Sequence, residues 1–242
     1  MQIRLYNPQI LVLNSNLFIK DNQYHYLVRV MRLRVGDIVR IFNSIDGEFA
    51  GKIIDIQKDH LELELVDFIS PPKPVQELTL YFAPIKNSNT SFIVQKATEL
   101  GATKIQPIIT KRTMVVKANV DKLELVAMEA AEQCERFSVP RILPIQRLEY
   151  VLKNPLHSGA LIFCNEKEAS QPLAQYLEKD NPQDAGIMIG PEGGFTDTEA
   201  EMIIKYKGIS VSLGNRILRA ETAIIATLSV YQAIAGDWNI SQ

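Results

Sequence analysis

The sequence predicts a two-part α/β chain: a small β-rich front, then a larger domain on a mainly parallel sheet. Three observations predict it. Through roughly the first seventy residues, apolar positions recur mostly with period two. Pro71, Pro72 and Pro74 then break the chain, since proline neither extends a helix nor sits in a central strand. Beyond them, short apolar strands alternate with helical patterns, as in a parallel sheet covered on both faces.

Each element has its own warrant. Residues 1–6 alternate like a strand, and residues 24–33 fit a short helix that Gly36-Asp37 turns into the next strand. Residues 38–42, 49–56 and 61–66 read as strands. His60-Leu61-Glu62-Leu63-Glu64-Leu65 alternates strictly, as a half-buried strand does, and Asp46-Gly47 signals a hairpin. Residues 1–72 thus form a small β-barrel-like domain, near the lower size limit for an independent core. In residues 73–242, strands are expected at 78–82, 105–109, 160–164, 187–189 and 211–213. Helices are expected at 92–100, ended by Gly101, and at 220–235. Leu123, Val126, Ala127, Ala130, Ala131, Cys134 and Phe137 recur at helical steps. Thr196-Asp197-Thr198-Glu199 is a capping box.

Composition excludes several classes. At about 150 residues per domain, 242 residues make one large or two modest domains. With 46% hydrophobic and 22% charged residues the chain is neither disordered nor collagen-like. No apolar run is long enough to span a membrane, and no signal core follows the first strand. Two cysteines, Cys134 and Cys164, are too few for a disulfide framework or a zinc cluster, so a cytoplasmic, reducing home is expected.

The net charge of −2 conceals a division. Residues 25–40 carry Arg29, Arg32, Arg34 and Arg40 against Asp37 alone. Residues 104–117 carry Lys104, Lys111, Arg112 and Lys117 against no acid. Residues 135–153 carry Arg136, Arg141, Arg147 and Lys153 against Glu135 and Glu149. Residues 154–242 hold six basic and eleven acidic residues. A basic front and middle point toward a polyanionic partner, although any one cluster also reads as solvated surface charge.

The common catalytic signatures are absent. There is no dinucleotide fingerprint, P-loop, zincin motif or nucleophile elbow, and His25, His60 and His157 are scattered. No metal site is expected. Two glycine-bearing segments follow strands directly: Ile189-Gly190-Pro191-Glu192-Gly193-Gly194, and Leu213-Gly214 running to Thr222. Ligands bind beyond the carboxyl ends of parallel strands, where glycine exposes bare backbone to them. One such loop alone reads as a tight turn; two in the same position predict a shared cleft. Arg219 and Glu221, beside a buried apolar helix, need partners or a ligand.

These two segments, with the Leu-Arg-Ala-Glu-Thr core at 218–222 and Glu132-Gln133-Cys134-Glu135-Arg136, resemble the RsmE family. That family comprises ribosomal RNA small-subunit methyltransferases of the SPOUT superfamily. His25 to Arg32 and Gln95-Lys96 to Gly101 add matches, and the likeness covers nearly the whole chain in order. The resemblance implies a PUA-like β-barrel that binds RNA, then a SPOUT domain with a deep trefoil knot. It implies a homodimer that methylates N3 of a uridine in 16S ribosomal RNA from S-adenosylmethionine. Ile189, Gly190, Pro191, Glu192, Gly193 and Gly194 would hold the cofactor with Leu213, Gly214, Ile217, Leu218 and Thr222. Phe163-Cys164-Asn165-Glu166 would be a third cofactor-side loop.

Under that resemblance, Arg219 would stabilise negative charge on a uracil oxygen. Glu221 or Glu192 would accept the N3 proton or orient Arg219. Glu221 reads equally well as an acid favoured at a helix N-terminus. Arg29, Arg32, Arg112 and Arg136 would contact phosphates. The alternatives are a non-catalytic RNA-binding ribosome-assembly factor of the same fold and a related methyltransferase acting on transfer RNA. A nucleotide-dependent oxidoreductase lacks its fingerprint.

Overall fold

The computed structural model describes residues 3–85, 87–165 and 171–239. Met1, Gln2 and Glu166 of the expected elements lie outside them. The chain divides into two compact units, residues 1–74 with 131–139, and residues 75–130 with 140–242.

The first unit contains β1 (Arg4–Tyr6), β2 (Asn16–Lys20), α1 (Asp21–His25), β3 (Ile38–Asn43), β4 (Gly47–Ile56) and β5 (His60–Ser70). The strands form a five-stranded sheet in the order β1-β3-β4-β5-β2. β1 runs parallel to β3, and the remaining neighbours are antiparallel. Alternation in β5 works as its sequence demands: Leu61, Leu63 and Leu65 are buried while Glu62 and Glu64 are not. Register shifts along the β4–β5 ladder bend the sheet around a core that also holds Val39, Ile41 and Ile53.

The helical reading of residues 24–33 needs correction. Only α1 is α-helical, and Tyr26–Val30 follow as a π-helical turn. The wider turn keeps Tyr24 and Leu27 in the core and leaves Tyr26, Arg29 and Val30 exposed. Arg32, at φ +57, then ends the segment before Leu33.

The second unit begins with β6 (Leu78–Phe82), α2 (Asn87–Glu99), β7 (Lys104–Ile109) and α3 (Val120–Gln133). It continues through β8 (Arg141–Ile142), β9 (Gln146–Arg147), α4 (Leu148–Lys153), β10 (Ala160–Cys164), β11 (Gln171–Pro172) and α5 (Leu173–Asp180). It ends with β12 (Ala185–Ile189), α6 (Asp197–Lys205), β13 (Gly208–Ser212) and α7 (Ala220–Ile234). The sheet order is β11-β13-β10-β12-β6-β7-β8, with β9 also on β7, and every pairing is parallel. Every residue of β6 and β12 is buried, which explains why both are apolar apart from Thr79. Tyr81, Phe163 and Met188 meet α4 and α6 on one face. On α7, Ile224 and Leu228 are fully buried, and α2 and α5 pack beside that helix. Among the described residues no helix is long and apolar enough to cross a membrane.

The helix expected to reach Phe137 stops at Gln133, and Glu135 adopts φ +60. Its last residues and the following turn are grouped with the first unit, where contacts outweigh helical periodicity. Tyr6 N–H donates to Glu132 Oε1 (2.9 Å). The buried Arg4 guanidinium donates to Glu48 Oε1 (2.9 Å) and to the Arg136 carbonyl (2.9 Å). It also stacks 3.6 Å from the Phe42 ring centre, with Phe137 packed edge-on against Phe42.

Two polar networks set the second unit's shape. Glu199, buried, closes the capping box by accepting from Thr196 N–H and Thr196 Oγ1, each at 2.9 Å. Its other oxygen accepts Lys111 N–H at 2.7 Å, tying the turn after β7 to the start of α6. The Tyr81 hydroxyl accepts Leu156 N–H (2.8 Å) and shares a hydrogen bond with His157 Nδ1 (2.9 Å). Burial pushes the Tyr81 hydroxyl up to about 12. Burial, with Lys104 nearby, pushes the His157 imidazole below its ordinary value.

Glu199→Ala leaves buried donors unsatisfied and should lower stability by about 2 kcal/mol, read from urea unfolding. His157 is held neutral in the fold, whereas the unfolded imidazole takes its proton near pH ~6.5. Its contribution is therefore complete above that pH and is lost as pH falls toward the depressed folded value. His157→Asn keeps an acceptor at the Nδ1 position, and its melting temperature should fall less between pH ~7.5 and pH ~5.5 than the parent's.

Candidate functional site

The site lies where three neighbouring parallel strands end. β10 pairs with β12 on one side and β13 on the other, setting Phe163 beside Met188 and Cys164 beside Val211. β12 runs out into residues 190–195 and β13 into residues 213–219, so both glycine loops emerge at one edge, flanking the end of β10. Together they border a cleft of about 380 Å³. Residues 189–195 and 211–218 line it throughout, with Cys164, Asn165, Ala220 and Ala223.

Local geometry explains the glycines. Gly194 (φ +65) and Gly214 (φ +101) hold left-handed backbone, and no atom stands within 4 Å of where a Cβ would project. Gly194 N–H closes its turn on the Pro191 carbonyl at 2.8 Å. A Cβ on Gly190 would come within 3.1 Å of the Phe195 ring, which itself packs edge-on against Phe163. The Arg112 guanidinium donates to the Gly193 carbonyl.

α7 starts at the cleft. Its N-cap, Arg219, provides no side-chain cap, and the first intrahelical bond runs from Ala223 N–H to the Arg219 carbonyl (2.8 Å). The earlier N–H groups lack intrahelical acceptors, and the helix dipole places partial positive charge there. Cys164 Sγ lies 3.3 Å from Thr227 Oγ1 of α7.

Ten of the expected cofactor residues line the cleft together: Ile189, Gly190, Pro191, Glu192, Gly193, Gly194, Leu213, Gly214, Ile217 and Leu218. Thr222, Arg219 and Glu221 are not among its lining. The helical step accounts for this: Ala220 and Ala223, three apart, share the cleft-facing stripe, which Glu221 and Thr222 leave. Arg219 is exposed and Glu221 half-buried, and neither forms an ion pair among the described residues.

The expected phosphate contacts differ in setting. Arg29 and Arg32 are exposed on the π turn and the residues after it. Arg136 is half-buried and donates to Ser138 Oγ at 3.0 Å. Arg112 is exposed yet engaged with the glycine loop. Asn215 and Arg216 line the cleft as part of the second glycine loop, and Phe195, Val211, Ser212, Ala220 and Ala223 join them from outside the expected set. The small-residue spacing at the start of α7 was a usable signal for the two alanines; nothing in linear order marked Phe195 or Val211. Among the described residues no three His, Cys, Asp or Glu side chains group as a metal ion requires.

Comparison with known proteins agrees with this geometry. The profile of an RNA methyltransferase domain matches residues 71–232, and that of an RNA methyltransferase PUA domain matches residues 19–66. The ribosomal RNA small subunit methyltransferase E of Rickettsia conorii is 37% identical over 232 residues, covering 93% of each chain. That of Synechocystis is 34% identical over 92% of this chain and 75% of its own. The crystal structure of the Neisseria gonorrhoeae enzyme of that name, bound to S-adenosyl methionine, superposes with a TM-score of 0.88. It is 26% identical and covers 98% of this chain and 100% of its own. With both domain profiles matched in order and relatives this similar along nearly its whole length, the chain belongs to the ribosomal RNA small subunit methyltransferase E family.

Proposed function

We propose that this protein methylates N3 of a specific uridine in 16S ribosomal RNA, using S-adenosylmethionine. The observation that carries the reading is the cleft of about 380 Å³ between two glycine loops at the ends of β12 and β13. Its size suits a small-molecule ligand, and Gly194 and Gly214 leave open space where side chains would otherwise project. Relatives solved with S-adenosyl methionine support the choice, among them a Legionella pneumophila protein 27% identical with a TM-score of 0.82. Bound here, the cofactor supplies an electrophilic sulfonium methyl group.

The chain's own residues then do the following. The loops from Ile189 to Gly194 and from Leu213 to Leu218 hold the cofactor by backbone groups and apolar flanks, with Ala220 and Ala223 of α7 closing the cleft beside them. Arg219, always charged and without an ion-pair partner among the described residues, stabilises charge on a uracil carbonyl oxygen. Glu221 or Glu192 accepts the N3 proton. Alignment of two bound reactants supplies most of the acceleration, up to ~7–11 kcal/mol. The target base leaves its stack so that its N3 edge is reachable.

Residues 1–72 serve as the RNA-binding module and residues 73–242 as the methyltransferase domain. Arg29, Arg32 and Arg136 contact phosphates of the RNA, which is bound within the small ribosomal subunit. The trefoil knot, a homodimer and a cytoplasmic location complete the reading; the parallel order that sets β12 and β13 astride β10 supports the first.

Mass spectrometry of 16S ribosomal RNA should find N3-methyluridine in cells with the protein and none in cells lacking it. Arg219→Ala should cut methylation at least about a hundredfold while cofactor affinity stays within about twofold; full activity would refute its role. Gly194→Val should abolish S-adenosylmethionine binding in calorimetry, because a β-branched residue is strained at that φ.

A further inference from the structure

We infer that Arg112 is a positioning residue for the cofactor loop, holding the Gly193–Gly194 peptide in its binding shape. The inference rests on the reading of that loop as an S-adenosylmethionine site.

The loop has little to fix it from within. Gly193 and Gly194 have no side chains, and glycine loses the most backbone freedom on ordering. One internal hydrogen bond closes the turn, Gly194 N–H to the Pro191 carbonyl. That bond holds one end of the 193–194 peptide. The Arg112 guanidinium holds the other through the Gly193 carbonyl. A peptide is planar, so fixing both its C=O and its N–H fixes the orientation of the whole unit. The Arg112 stem also covers the bare face of Gly193: Cδ and Cβ lie 3.2 and 3.6 Å from where a Cβ on Gly193 would stand.

Arg112 can do this because its own backbone is anchored. Thr110 N–H donates to Thr113 Oγ1 (2.9 Å), and Thr113 N–H returns to the Thr110 carbonyl (3.2 Å). Between them, Lys111 N–H is held at 2.7 Å by Glu199, whose side chain is buried and also caps α6. A rigid turn therefore presents a charged donor to a flexible loop, and charged donors make the stronger hydrogen bonds. The basic cluster at 104–117 thus contributes more than surface charge, and Arg112 acts on the cofactor side of the site.

The test is S-adenosylmethionine affinity by calorimetry in the absence of RNA, on the full-length protein. Arg112→Met keeps the stem and removes the donor, and should weaken binding about five- to tenfold. Its unfolding midpoint should stay with the parent's, since the residue is exposed. Arg112→Lys restores a charged donor and should return affinity to within about twofold of the parent. Parent-like affinity for Arg112→Met overturns the inference and leaves Arg112 to the RNA phosphates. So does an Arg112→Lys variant as weak as Arg112→Met. A parent protein that does not bind S-adenosylmethionine at all overturns the cofactor reading itself.

Discussion

β10 hydrogen-bonds β12 along one edge and β13 along the other, and the cleft exists because of that placement. Chain order alone would set β12 and β13 side by side. Instead the chain leaves β10, enters β12, and returns past it to pair on the far side. Two loops separated in sequence by α6 and β13 thereby straddle one strand end. β12 is buried along its whole length and β10 through its three middle residues, so neither slides without exposing apolar surface.

Buried charge is used sparingly and tied down. Arg4 and Glu199 are both nearly inaccessible, and an unpaired charge there would be costly. Arg4 meets Glu48, the Arg136 carbonyl and the face of Phe42, and so holds residues 131–139 within the first unit. Glu199 meets the N-terminus of α6 and the turn after β7. In each case a side chain secures backbone that its local sequence would leave loose. The exposed arginines at 29 and 32 have no such task, which suits them to an external partner.

Much of this was legible. Strict alternation at 60–65, the capping box at Thr196 and Glu199, and the buried runs of β6 and β12 follow from local rules that the fold obeys. Other elements were hidden. β2 buries only Leu17 and Ile19, with an apolar Phe18 facing out, so its alternation is blurred. β8, β9 and β11 are two-residue strands that exist only through their partners. α4 and α5 lack side-chain N-caps, so nothing marks where they begin. The helical stripe through Cys134 and Phe137 was misleading, because the aromatic cluster around Arg4 recruits Phe137 outside any helix.

By itself the sequence determined the two-part organisation, the strands and helices with strong periodicity, the two glycine loops and the family they resemble. Those are local properties, set by side-chain period, backbone freedom and residue order. Tertiary structure alone decided which strand stands between the loops, that Glu221 and Thr222 turn away from the cleft, and that Arg112 grips Gly193. Such facts depend on hydrogen-bond pairing and helix rotation between segments far apart in the chain, and no local pattern encodes them.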